Sequence, residues 1–218
     1  MSAHNNIQAA STIAALMAIG DPEVYAHCFR VAGYAVATAR CIKLSSTEVD
    51  IIEQAALLHD VGKVTVAGSI LNKTTCLTTT EYEKVKFHSE VGQRVVQKTL
   101  GLDHVASLVR SHHERYDGQG YPDGLLGEET LLGARIIAVA DAFDAMTSNR
   151  PYRKSRSVSA AVQELVLLSG TQFDPAVVQA FTEILPKDRE LAYSFTEGAR
   201  SFFDAAFPTA FLFNDLME

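Results

Sequence analysis

Five histidines and two aspartates stand where an apolar core does not ordinarily accept them. His27, His59, Asp60, His88, His112, His113 and Asp141 lie in, or at the ends of, segments whose apolar residues recur every three or four positions. A single core imidazole is unremarkable, because one carbonyl can accept its N–H. A carboxylate among Leu, Val and Ala costs roughly several kcal/mol unless it is paired or metal-bound. Seven such groups together cannot satisfy one another without protons or a cation. Imidazole and carboxylate without thiolate suit a borderline-to-hard divalent metal, among them Fe, Mn, Co, Zn and Ni. Seven donors are too many for one ion. Two ions sharing a bridging carboxylate would use them economically, and a metal pair about 3.5–4 Å apart is suited to cleaving phosphoesters.

The elements that must position these groups read as helices. Asp21 and Pro22 supply an N-cap and an N1 proline after Gly20. In the helix that follows, His27 shares the apolar face of Val24, Val31 and Tyr34. Ser45 with Glu48, and Thr78 with Glu81, have capping-box spacing. The first box opens a helix that carries His59 and Asp60 at its C-terminal end; the second precedes His88. A helix around residues 104–114 brings His112 and His113, and adjacent residues that diverge by about 100° along a helix can both turn inward at its end. "RIIAVADAFDAMT" is apolar on nearly all sides, the mark of a central buried helix holding Asp141 and Asp144. "SVSAAVQELVLLSG" and "PAVVQAFTEIL" add two more. The expected fold is all-α, a single helical bundle with the site in its core. It divides into an N-terminal helix over 1–20, a catalytic domain over 21–185 and a C-terminal helical extension over 186–218.

Bulk properties narrow the function. Apolar residues make up 47% and charged residues 21% of the 218, as in a soluble globular protein. A net charge of −7 argues against a DNA or RNA polymer as partner. Cys28, Cys41 and Cys76 form no CxxC pair and read as reduced thiols. Without a signal-peptide pattern or a spanning apolar run, the expectation is a cytoplasmic protein with no membrane partner. The stretch before Asp21 is shorter than a sensory domain, so regulation is expected through metal redox state, oligomerisation or a separate protein. The apolar segments at both ends would suit a homodimer or a signalling-protein partner.

"HDVGK" at 59–63, "HHERYDGQGYP" at 112–122 and "ADAFDAMTSNRPYR" at 140–153 closely resemble the HD-GYP family of cyclic dinucleotide phosphodiesterases, a branch of the HD-domain metal-dependent phosphohydrolases. A lone His-Asp pair means little; this ordered series with its Gly-Tyr-Pro loop is specific, and it extends from about Asp21 to "FDPAVVQAF". The resemblance implies that His27, His59, Asp60 and Asp141 hold one metal, and that Asp60 bridges to a second held by His88, His112 and His113. The ions would be iron or manganese. It further implies that Lys63 touches the scissile phosphate or assists the leaving oxygen. Tyr121, Gly120, Arg150 and Arg153 would bind substrate, Lys73 would serve a channel or packing role, and Asp144 would orient a ligand or an arginine. The family's glycines, here 118, 120 and 124, would permit positive φ and close approach of ligand to backbone. Glu23 admits two readings: a first-turn acid complementing the helix dipole, or a ligand to a third metal. Val24-Tyr25-Ala26 and Tyr116 depart from the family's usual residues without removing a ligand.

The implied reaction is hydrolysis of cyclic di-GMP to pGpG or GMP, by in-line attack of a hydroxide held between the ions. Two alternatives stand beside it. One is the same chemistry on cyclic GMP-AMP; the other is a non-catalytic receptor or scaffold for the dinucleotide.

Overall fold

The structure is a computed structural model that describes residues 9–10, 12–13, 22–148 and 155–185. The expected helix over 1–20 is thus described only at residues 9, 10, 12 and 13, all helical, and the expected extension over 186–218 lies outside the described residues. So do Arg150 and Arg153.

All regular structure among the described residues is helical. Helix α1 spans Pro22–Cys41, and α2 spans Ser46–Leu58. A 3-10 turn over Val61–Thr65 leads to the short α3, Gly68–Leu71. Then come α4 (Thr79–Lys86), α5 (His88–Leu100) and α6 (Asp103–Ser111). A long loop with a second 3-10 turn, Gly127–Glu129, precedes α7 (Leu132–Thr147), α8 (Val158–Leu167) and α9 (Pro175–Ile184).

Local chemistry sets several of these boundaries. Both capping boxes form. The Glu48 N–H donates to Ser45 Oγ at 3.3 Å while the Ser45 N–H donates to Glu48 Oε2 at 2.9 Å. Thr78 and Glu81 do the same at 2.7 and 3.3 Å. Such caps are worth about 1 kcal/mol each. α2 stops at Leu58, so His59 is its C-cap and Asp60 already starts the 3-10 turn. α6 likewise ends at Ser111 with His112 as C-cap, slightly earlier than its expected end.

α7 is the central helix, packing on α1, α2, α6, α8 and α9. Small residues let the neighbours close in: Ala35, Ala39, Ala55, Ala56, Ala134 and Ala140 are fully buried. Phe143 fills the space between α1 and α9, with ring centroids 5.2 Å from Tyr34 and 5.0 Å from Phe181. α5 lies against α6 and the first 3-10 turn. Gly62 makes that last contact, since a Cβ there would fall 1.9 Å from the His88 carbonyl oxygen. Only glycine lets the turn carrying Asp60 come so near the first residue of α5.

Candidate metal centre

Three of the histidines are positioned by one recurring device. The Nδ1–H of His59 donates to the Ala56 carbonyl at 2.7 Å, that of His88 to Val85 at 2.6 Å, and that of His112 to Val109 at 2.7 Å. Each carbonyl is three residues back, in the last turn of α2, α4 or α6, where helix carbonyls lack intrahelical partners. Each bond places the ring proton on Nδ1 and leaves the Nε2 lone pair aimed inward. His27 is held differently: its Nδ1 donates to Asp144 Oδ2 at 2.7 Å, and Nε2 faces Asp141 Oδ1 at 3.3 Å and Asp60 Oδ2 at 3.9 Å.

These ring nitrogens converge in two groups that share Asp60. Asp60, His88, His112 and His113 form one, and His27, His59 and Asp60 the other; within each, one ligand atom per residue lies within 4.8 Å of the rest. Asp141 joins the second through His27. Two features show that the protein's own groups leave the cluster incomplete. His88 Nε2 and His112 Nε2 face one another at 3.4 Å, with neither carrying a proton when both Nδ1 atoms donate. His59 Nε2 and Asp60 Oδ1 are buried with no hydrogen-bond partner. Buried polar atoms of this kind cost on the order of 1–3 kcal/mol each unless something satisfies them. The donor set, neutral imidazole nitrogen plus carboxylate oxygen, fits divalent metal ions.

Electrostatics divide the cluster further. Burial pushes His88 down and His112 well down, and takes His113 to about 3, so these rings stay neutral donors. Burial also opposes charge on His27, but its bonds to Asp141 and Asp144 prevail and raise it to about 9. Burial would raise Asp60, yet Lys63 first, then His59 and His27, hold it well below the ordinary carboxylate range. Asp141 and Asp144 are likewise lowered, against burial, by their bonds to His27.

Lys63 Nζ donates to Asp60 Oδ2 at 2.6 Å, bringing the ammonium to the edge of the cluster. Asp144 accepts from Arg30 as well as His27, with Arg30 Nε to Oδ1 at 2.6 Å and Nη2 to Oδ2 at 3.1 Å. Arg30 also donates to Glu23 Oε1 at 2.6 Å. Glu23, its side chain 58% exposed, is thereby turned toward Arg30 and falls in neither ligand group. Sequence reasoning missed Arg30. The available signal was a guanidinium three residues after His27, on a face otherwise given to the core. Lys73 pairs with Glu81 at 2.6 Å, on the capping box of α4.

The loop after His113 is built around Glu114, whose role here was also missed. This buried carboxylate accepts backbone N–H groups from Asp123 at 2.6 Å, Gly124 at 3.1 Å and Leu125 at 3.1 Å. Arg115 forks onto Asp117 at 3.0 and 2.6 Å. The loop's far side is tied to the turn before α9 by Tyr116 N–H to Gln172 O, 3.2 Å, and Asp117 N–H to Thr171 O, 2.8 Å. Gly118 and Gly124 have positive φ, 75° and 67°. Gly120 does not share it. A Cβ there would meet the Arg115 nitrogen at 2.3 Å, so the close approach that demands glycine is with the chain's own backbone. Tyr121 lies over His113, ring centroids 4.9 Å apart.

A helical bundle whose helix ends aim imidazoles at a shared aspartate matches a known protein class. A family model described as "HD domain" matches residues 11–177, most of the chain. The chain belongs to this family. It is 43% identical over 153 residues to the cyclic di-GMP phosphodiesterase response regulator RpfG of Xanthomonas campestris, covering 69% of this chain and 40% of that protein. It is 39% identical over 166 residues to a cyclic di-GMP phosphodiesterase of Thermotoga maritima, covering 75% and 45%. The fold resembles the crystal structure of a cyclic GMP-AMP specific phosphodiesterase of Vibrio cholerae, with TM-score 0.60, 22% identity, and 80% and 48% of the two chains covered. The chain thus spans less than half the length of these relatives. Among the described residues no helix is long and apolar enough to cross a membrane.

Proposed function

We propose that the protein is a metal-dependent phosphodiesterase that hydrolyses cyclic di-GMP. The observation that carries this reading is the pair of ligand groups joined at Asp60, with His59 Nε2 and Asp60 Oδ1 buried and lacking a hydrogen-bond partner. His27, His59, Asp60 and Asp141 would hold one divalent ion, and Asp60, His88, His112 and His113 a second, with iron or manganese as the metals. When bound, such a pair supplies charge neutralisation at the phosphoryl oxygens and a water made acidic enough to attack at neutral pH.

The chain's own residues do the rest. Backbone carbonyls hold the Nδ1 atoms of His59, His88 and His112, and Asp144 holds that of His27, so little reorganisation is needed when substrate arrives. Lys63, beside Asp60, is placed to donate to a phosphate oxygen or to the departing ribose oxygen once a cation takes its share of the carboxylate. Tyr121 stands next to His113, where a base or ribose adjoining the scissile phosphate would lie. Arg150 and Arg153 are proposed to hold substrate phosphate, as the resemblance implies, and Arg suits that task through its fork of donors.

The names of the curated relatives favour cyclic di-GMP as substrate. The domain division at residues 20 and 185 is part of the same proposal. The test is direct: iron- or manganese-loaded protein is incubated with cyclic di-GMP under reducing conditions while bound metal is quantified, beside Asp60→Ala. Turnover to pGpG or GMP that disappears with the metal in Asp60→Ala is the expected result. A metal-replete wild type that releases neither product ends the catalytic reading, and competition with cyclic GMP-AMP reads the base preference.

A further inference from the structure

Between the Gly-Tyr-Pro loop and α4 lies a group of side chains that the ligand set does not use. Tyr82 projects from α4 and is 47% exposed. None of the eight residues of this helix is buried, so the ring is not there to fill a core. It meets Tyr121 edge to face, with centroids 6.4 Å apart and planes at 81°. Lys86, one turn further along α4, holds its ammonium 5.3 Å from the Tyr82 centroid and 5.8 Å from that of Tyr121. Glu83 Oε1 accepts from the same ammonium at 2.6 Å, which fixes it over the rings. Tyr121 in turn lies on His113, at an interplanar angle of 34°.

His113, Tyr121 and Tyr82 therefore form a continuous aromatic wall from the ligand groups out to the surface. An exposed ring held in place by a neighbouring cation and continuous with a phosphate-directed site is suited to a flat π-system. Base–aromatic stacking tolerates any base because each has a π-face, and a nearby cation strengthens binding through charge. We propose that Tyr82, held by Lys86 and Tyr121, is a stacking platform for a purine base of the nucleotide whose phosphate sits at the His/Asp cluster. This inference rests on the phosphodiesterase reading for where the phosphate lies, yet its test requires no turnover.

The test compares binding of GMP and ribose 5-phosphate to the metal-loaded full chain by calorimetry, in wild type, Tyr82→Ala and Tyr82→Phe, with metal content measured for each. Tyr82→Ala is expected to weaken GMP about tenfold, within the range found for removing one stacked ring. Ribose 5-phosphate, which lacks the base, should lose no more than about twofold, and Tyr82→Phe should bind GMP like the wild type. In steady state, Tyr82→Ala should raise KM for cyclic di-GMP about tenfold with kcat within about twofold. Equal weakening of both ligands would show that Tyr82 merely supports the loop and would overturn the platform. Unchanged GMP binding in Tyr82→Ala would overturn it too. A wild type that binds GMP through Tyr82 but does not hydrolyse cyclic di-GMP would leave the platform standing and remove the catalytic proposal.

Discussion

The two halves of the His/Asp cluster are held by opposite means. On the side of His88, His112 and His113 the rings are anchored to helix-end carbonyls or packed on Tyr121, and burial keeps them neutral. No carboxylate but Asp60 belongs to that group. On the side of His27, Asp141 and Asp144 the structure is a chain of charges, running from His27 through Asp144 to Arg30 and on to Glu23. The neutral half cannot satisfy itself, because lone pairs facing lone pairs need something between them. The charged half is already largely compensated by His27, Arg30 and Lys63. The contrast teaches that burying polar groups admits two remedies in one core: fix them and await a cation, or pair them internally.

The deepest break in this comparison is Asp60→Ala, because Asp60 alone belongs to both groups. Metal content should drop below one ion per chain and turnover by more than about 100-fold, exceeding what loss of an outer partner costs a metal site. Retention of two ions would mean the halves are independent after all. Next comes Arg30→Ala, which strips Asp144 of its fork. Affinity for the ion on the His27 side should fall about 10–100-fold, while the His88 side keeps its ion, so titration should shift from two equivalents toward one; equal loss on both sides would erase the distinction. Gly62→Ala attacks the other half, pushing the turn off the His88 backbone. Urea unfolding should report a loss of about 1–3 kcal/mol, with unchanged stability refuting the close contact. The smallest effect belongs to Glu23→Ala. An exposed pair of this kind is worth about 0.2–1 kcal/mol, and metal stoichiometry should not move; loss of an ion would instead assign Glu23 to a third site.

What the sequence made legible was whatever is local. Ser45 with Glu48 and Thr78 with Glu81 are four-residue devices, and both appear as read. The all-α class followed from periodicity in the same way. The gathering of the seven His and Asp side chains was suggested by their chemistry, since buried carboxylates needed partners, and the structure does bring them together. Contacts that exist only after the chain folds back were not legible. Arg30 meets Asp144 across 114 positions, and its place three residues after His27 marks it as unusual without naming its partner. The role of Glu114 was not legible, because the three N–H groups it collects come from a loop whose path no periodicity describes. Gly120 looked like a ligand-facing glycine for a related reason: close backbone approach is inferable from sequence, but not what approaches.

The bonds from His59, His88 and His112 to carbonyls three residues back carry a consequence for how this scaffold tolerates change. The direction in which each of these rings points is encoded by the single helical turn just before it, much as a tool is set by its handle. Distant loops and surfaces can be rebuilt without re-aiming them, provided those three helix ends keep their winding.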